Sequence, residues 1–399
     1  MSTMNRADIL LPRVDDMTAW ATVACDQFTS EPDYWTQAEQ RVGNAPSTLR
    51  LMLPEAWLNT PRENGAEARI ARAMGDYVNQ GRFDVLENSF VYLERTQPDG
   101  RIRRGLMAAL DLEEYDFAPG SRARVRATEG TVEERLPPRV RIRSGALLEM
   151  PHVMVLMDDR EDRVLGTLER AKEQMKPVYD FELMLGGGHI RGWQVSGEPA
   201  DAAEAALASL EAPEVQREKY GDAARNGPMT YAVGDGNHSL AAAKRWWEQL
   251  RETLSPDERT AHPARYALVE LCNIHEAALD FEPIHRVIFD TDKSAFAEAL
   301  ASHRAEWETP ETIGERVAAA ESFCRSYAAA HGGHIDYIHG DDTAREMGCR
   351  PNTCAVLLPP LRKDGLFLSV LTGGALPRKS FSMGHARDKR YYLECRRIR

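Results

Sequence analysis

The sequence predicts a mixed α/β fold of the α+β kind. Three observations point there. Helical and strand patterns alternate along most of the 399 residues, and apolar runs of strand length stand between the helices. One such strand enters a Gly-x-Gly turn that opens directly into an Ala-rich helix. In chain order, Thr29 or Ser30 is placed to cap a helix over 31–42, with Trp35 and Ala38 on one face. Residues 65–80 repeat apolar side chains at helical spacing. Residues 90–93 and 105–112 flank Gln97-Pro98-Asp99-Gly100 and read as a hairpin. A short strand is expected at 153–157 and a hairpin turn at Gly186-Gly187-Gly188-His189. A surface helix follows at 201–210. Strand 229–233, helix 239–254 with Trp246 and Trp247, and strand 266–272 come next. Beyond Ile288 the pattern gives helices at 292–303 and 312–330, then strands at 335–338, 355–358 and 366–371. The weakest seam, at Phe289–Lys293, divides the chain into a main domain, 1–290, and a smaller C-terminal α/β part, 291–399.

Fifty Lys and Arg against sixty-two Asp and Glu give a formal charge of −12. Such a balance excludes an extended surface for nucleic-acid phosphates, which needs a broad cationic excess. It equally disfavours a polybasic membrane clamp. No segment approaches the ~20 uninterrupted apolar residues of a spanning helix. The six cysteines form no Cys-x-x-Cys pair, so a reducing cytoplasm is the expected compartment. Charge is unevenly spread. Arg378 to Arg399 carries eight cations and two acids, and Arg122 to Arg143 seven arginines and three glutamates. Solvated faces are the simple account of such clusters. The functional account is one small anionic or phosphorylated ligand held by cations from separate segments. The tail, with Phe381, Met383 and Tyr391-Tyr392-Leu393, carries too much apolar surface for a disordered end and is expected to dock on the main domain.

The sharpest local feature is Tyr231-Ala232-Val233-Gly234-Asp235-Gly236-Asn237-His238-Ser239. Gly234 and Gly236 permit backbone conformations and close approaches that a Cβ would obstruct. Free amides at the following helix start favour an anion, with Asp235, Asn237 and His238 beside it. The plainer alternative is that Asp235 or Asn237 caps the helix while His238 packs beneath. The third glycine of the dinucleotide fingerprint is missing, and no Gly-Lys-Ser or Gly-Lys-Thr follows.

Strand, Asp-Gly-x-His and Ala-rich helix together resemble the Asp-Gly-His-His-Arg box of the ParB/sulfiredoxin-like superfamily. Members of that superfamily bind nucleotide phosphates at this turn, and one branch comprises free L-serine kinases. More widely, the chain resembles domain-of-unknown-function family 1015. The matching stretches are Ala24 to Ser30 with Pro32, Tyr34 and Trp35; Ala45-Pro46-Ser47-Thr48; Thr128-Glu129-Gly130-Thr131; Gly234 to His238; Pro283-Ile284-His285-Arg286; and Leu376 to Gly384 through Lys389-Arg390-Tyr391-Tyr392. Two motifs depart from the pattern. Thr128 stands where the family commonly has His, and in the box Asn237 replaces the first His and Ser239 the Arg, while His238 keeps the second His. Lys244 or an arginine of the tail is the expected substitute for the lost arginine.

The resemblance implies a ParB/sulfiredoxin-like core with large elaborations. It also implies a kinase-like enzyme that transfers a phosphoryl group between a nucleotide and a hydroxylated metabolite such as free L-serine. ATP or ADP, with Mg, would be the implied partners, and no metal ligands are assigned. Asp235, Glu129, His238 and Asp26 are the expected catalytic residues. Gly234, Gly236, Asn237, Arg378 and Lys379 are expected to grip the nucleotide. Two alternatives stay open: a phosphatase acting on a molecule such as phosphoserine, and a non-catalytic nucleotide-sensing module. The DNA-partitioning branch needs a helix-turn-helix, and none is evident.

Overall fold

The computed structural model describes residues 2–29, 31–308 and 312–399. It is a mixed α/β structure built on one large mixed sheet. In spatial order the sheet runs Lys176–Glu182, His189–Val195, Phe83–Thr96, Ile102–Asp111, Tyr266–Asn273, Met154–Met157, Tyr231–Asp235, Val125–Ala127 and Tyr115–Asp116. Met4–Asn5 and Ala7–Pro12 add to the strands Ile102–Asp111 and Phe83–Thr96. One half is a set of antiparallel hairpins. The other mixes senses, with Tyr231–Asp235 antiparallel to Met154–Met157 and parallel to Val125–Ala127. Both faces of the middle strands are covered, and Phe90, Tyr92, Leu106, Val155 and Tyr231 are fully buried. That explains why these strands read as continuous apolar runs rather than as alternating ones.

A second, antiparallel sheet takes Phe281–Phe289 as its spine, flanked by His334–His339 and Thr353–Val356. Its helices Lys293–Glu308 and Ile313–His331 shield a core of Ile288, Phe296, Val317, Phe323 and Tyr327. Phe381–Met383 pairs with the start of the same spine strand. Beyond it the chain turns back to the first sheet, pairing Tyr391–Tyr392 with Thr22–Val23 and Arg396–Arg397 with Leu148–Glu149.

A buried ionic network fastens this returning segment. Glu270, without exposed surface, lies 3.1 Å from Arg103 Nη2 and 3.2 Å from Arg390 Nη1. Arg390 also pairs with Glu394, whose Oε1 accepts a 2.6 Å hydrogen bond from the Tyr179 hydroxyl. Arg95 donates to the carbonyls of Arg387 and Lys389. A buried charge cluster of this kind is tolerable only because each ion meets several partners. Gly105 makes the room, since a Cβ there would stand 2.8 Å from Glu270 Oε1.

Two local expectations are corrected. Residues 366–371, expected as a strand, form the helix Leu366–Gly373, which buries Leu366, Phe367, Val370 and Leu371 and leaves Leu368 exposed. Its apolar run is too short to reveal a period, and the burial spacing of one helical face decides it. Helix Pro32–Val42 begins at Glu31 with no side-chain cap, so the cap expected at Thr29 does not form; Ser30 lies outside the described residues. Among the described residues no helix is long and apolar enough to cross a membrane.

Candidate functional site

The strand Tyr231–Asp235 ends at the Gly-x-Gly turn, and Gly236 (φ 79°) starts the helix Asn237–Arg251. Neither alternative cap forms: Gly236 is itself the N-cap, and no side chain closes the helix. Asp235 instead turns back, its Oδ1 accepting the Gly236 amide at 2.9 Å. Both glycines are sterically demanded. A Cβ on Gly234 would lie 2.3 Å from Met383 Sδ, and one on Gly236 3.0 Å from Val153 Cα. The first helical amides are thus left without a side-chain acceptor, an arrangement that attracts anions.

Chain segments far apart in sequence converge on this turn. Lys389 Nζ lies 3.1 Å from Asp235 Oδ2, with its side chain only 8% exposed. Glu129 follows the strand Val125–Ala127 and is held beside residue 376: the Leu376 amide donates to Thr128 O at 2.8 Å, and the Gly130 amide to Leu376 O at 3.2 Å. Burial pushes the Glu129 carboxyl up to about 6, against the Lys379 charge and the backbone amides of Lys379 and Ser380. The negative charge of Asp235 pushes it the same way as burial. Lys379 presents its amide from a left-handed conformation, φ 60°, which is uncommon for a residue with a Cβ.

His238 accepts the Val132 amide at Nε2, 3.3 Å away. Burial, then the charges of Arg139, Arg135 and Arg378, lower it to about 4. The ring is therefore neutral at pH 7, and with Nε2 accepting, its proton sits on Nδ1. Burial alone would raise Asp26, but the nearby His152, a hydrogen bond from Gln27 and the Lys389 charge outweigh it and hold the carboxyl low. Asn237 Oδ1 and Thr131 Oγ1 are buried without a hydrogen-bond partner. Unmet polar atoms of this kind mark places where a ligand or water belongs.

The expected site residues are thus linked in pairs: Glu129 feels Asp235 and Lys379, His238 feels Asp26 and Arg378, and Lys389 acts on both Asp235 and Asp26. Four residues not expected individually adjoin this cluster: Lys389, Arg135, Arg139 and His152. Both arginines lie in the basic stretch 122–143, where their charge is visible and their target is not. His152 Nε2 is 3.1 Å from Ser239 Oγ, and its Nδ1 is 2.7 Å from the Tyr392 hydroxyl. Tyr392 also donates to Cys25 Sγ at 3.2 Å. Burial pushes the Cys25 thiol up to about 12, so it is not a nucleophile at neutral pH. Lys244 does not substitute for the missing arginine, because its ammonium is spent on Leu112 O at 2.9 Å. His285 and Arg286 are structural, bound to Asp341 and Glu321 at 2.9 Å each.

A model of the family described as "Protein of unknown function (DUF1015)" matches residues 9–397. The chain belongs to this family. No curated protein matches the sequence. Among solved structures, the DUF1015 chain is similar to a free serine kinase in complex with AMP, with 9% identity and a TM-score of 0.37. That alignment covers 72% of this chain and 90% of the kinase. A conserved hypothetical protein from Pyrococcus furiosus aligns with 8% identity and a TM-score of 0.32, again covering 72% of this chain and 90% of its own.

Among the described residues no group of three or more His, Cys, Asp or Glu side chains is arranged to hold a metal ion. The Asp235 oxygens already meet Gly236 and Lys389, and Glu129 meets the amides of Lys379 and Ser380. A Mg site made by the protein alone does not fit this donor set.

Proposed function

We propose that this protein transfers a phosphoryl group between a nucleotide and a hydroxyl group of a small metabolite, at the turn Gly234–Ser239. One observation carries the reading. Cations from separate segments act on the groups at and beside an uncapped helix start: Lys389 on Asp235, Arg378, Arg135 and Arg139 on His238, and Lys379 on Glu129, whose carboxyl is poised at about 6. Phosphoryl transfer needs little covalent help from a protein; it needs positioned positive charge and a group that accepts the hydroxyl proton.

The geometry supports the following roles. The helix amides and the cations bind the phosphates of ATP or ADP, while Gly234 and Gly236 let Met383 and Val153 pack directly against the turn that presents those amides. Glu129 takes the proton as the acceptor oxygen bonds to phosphorus. The bond from phosphorus to the donor's bridging oxygen breaks, and its electron pair leaves with the shortened nucleotide. Neutral His238 offers its Nδ1 proton to a phosphate oxygen. Asp235 and Asp26 position Lys389 between them, and Asn237 contributes a buried polar atom with no partner of its own.

The test is phosphorus NMR of the full chain with ATP or ADP, Mg and a panel of hydroxylated acceptors that includes L-serine. A phosphorylated acceptor that forms with wild type and disappears with Glu129→Gln supports the assignment. Absence of turnover with either nucleotide defeats it. Phosphate release from phosphoserine without any nucleotide would replace it with a phosphatase.

A further inference from the structure

Immediately behind the polar site lies a cavity of about 190 Å³. Cys25, Arg139, His152, Ser239 and Tyr392 line it, so its polar end is the back of the site just described. Apart from Arg143 and Glu149, the remaining wall is hydrocarbon. Leu53 and Met52 come from the segment before helix Ala66–Asn79, Met74 from that helix, Ile142 from helix Leu136–Gly145, and Leu240 and Leu268 from below.

The polar groups of the wall are committed to one another. His152 bridges Ser239 and Tyr392, Arg139 pairs with Glu55, and Glu149 takes Arg143 and Arg396 at 2.6 Å each. Among the described residues, Arg143 Nε is the one side-chain polar atom of this wall left buried without a partner. A nucleobase, with several donors and acceptors on its edge, would lose its water there and regain little. A hydrocarbon group bearing at most one acceptor atom loses nothing. An apolar cavity of about 150 Å³ holds a benzene ring, which sets the scale at about six carbons. Met52 and Met74 let the wall adapt to a branched or an aromatic shape.

We infer that this cavity receives the carbon skeleton of the phosphoryl acceptor, which is a small hydroxylated molecule bearing a branched aliphatic or aryl group rather than a compact polar one such as serine. The acceptor role rests on the phosphoryl-transfer reading above; the apolar recess does not. With its skeleton in the recess, the acceptor presents its hydroxyl past Ser239 and His152 toward the helix start.

The experiment is calorimetric titration of the full chain with 2-phenylethanol and 3-methylbutan-1-ol, with glycerol and L-serine as polar controls. The apolar alcohols are expected to bind at least about tenfold more tightly than the controls. Ile142→Trp, at a half-buried wall position, should weaken them by a further factor of about ten by filling the space. Leu53→Trp, half-buried on another side, repeats the test if the first variant folds poorly. Inorganic pyrophosphate, titrated into the same samples, should bind wild type and both tryptophan variants alike. Alcohols that bind no better than glycerol, or that bind folded tryptophan variants unchanged, overturn the recess. Bound alcohol with no binding of pyrophosphate keeps the recess and overturns its occupant's role as phosphoryl acceptor.

Discussion

Consider the pair Lys389 and Asp235, perturbed by Lys389→Met, Asp235→Asn and the two together. Opposite charges 3.1 Å apart attract by about 5 kcal/mol at an effective dielectric of about 20. Withdrawing both ions from water cancels much of that attraction. Lys389 is 8% exposed, but Asp235 keeps 21%, so water screens one partner and reaches it again when the other is removed. The expected coupling is therefore about 2 kcal/mol, between the values typical of surface and of fully buried pairs. Unfolding entropy for 399 residues is about 0.8 kcal/mol/K, so Lys389→Met should lower the melting temperature by roughly 2 °C. Urea denaturation of the four proteins of the cycle gives the coupling directly. Stability changes that add to within about 0.5 kcal/mol would refute the claim that these two side chains work as a unit.

The other expectations are briefer. Glu129 must be ionised to accept a proton, and its carboxyl titrates at about 6, so the rate should rise with pH through that region and be about tenfold lower at pH 5. Glu129→Gln should abolish that limb in a pH–rate profile. His238 stays neutral down to about pH 4 in the folded chain, while the unfolded imidazole takes a proton near 6.5. Its contribution is therefore complete above 6.5 and falls as pH drops toward 4, by at most about 3 kcal/mol; His238→Gln should flatten this part of the stability profile in denaturant titrations. Gly236→Ala forces a Cβ against the Val153 backbone at φ 79°, and Gly234→Ala places one 2.3 Å from the buried Met383 Sδ and 3.0 Å from the buried Leu156; each should cost about 1–3 kcal/mol. Both are measurable by thermal melts.

Sequence reasoning succeeds here where the physics is local. The hairpin at Phe83–Thr96 and Ile102–Asp111 announces itself through its Pro-Asp-Gly turn, and helix Asn237–Arg251 through the glycines before it and the alanines within it. It fails at Leu366–Gly373, where a short apolar run suits either strand or helix until its neighbours decide. The polar cluster divides the same way. The turn at Gly234–Ser239 carries its own conformational chemistry. Lys389 and His152 acquire their meaning only from chain reversals 154 and 83 residues away from Asp235, which no spacing rule encodes. Lys244 shows the converse: helical proximity suggests a role at the turn, and packing sends its ammonium to Leu112 O.

The return of the last segment to the first sheet has a consequence for biosynthesis. Asp26, Glu129 and Asp235 all leave the ribosome before Lys389, which follows Asp235 by 154 residues. At about 5–20 residues per second that interval is roughly 8–30 s. For that time the nascent chain holds Asp26 and Asp235 without Lys389, and Glu270, once made, waits without Arg390. A polypeptide whose translation stops after Asn273 but before Lys389 contains every strand of the large sheet but lacks Lys389, Arg390 and Glu394. Such a fragment should be the species that chaperones and proteases recognise, while the finished chain escapes them once Lys389 and Arg390 are in place.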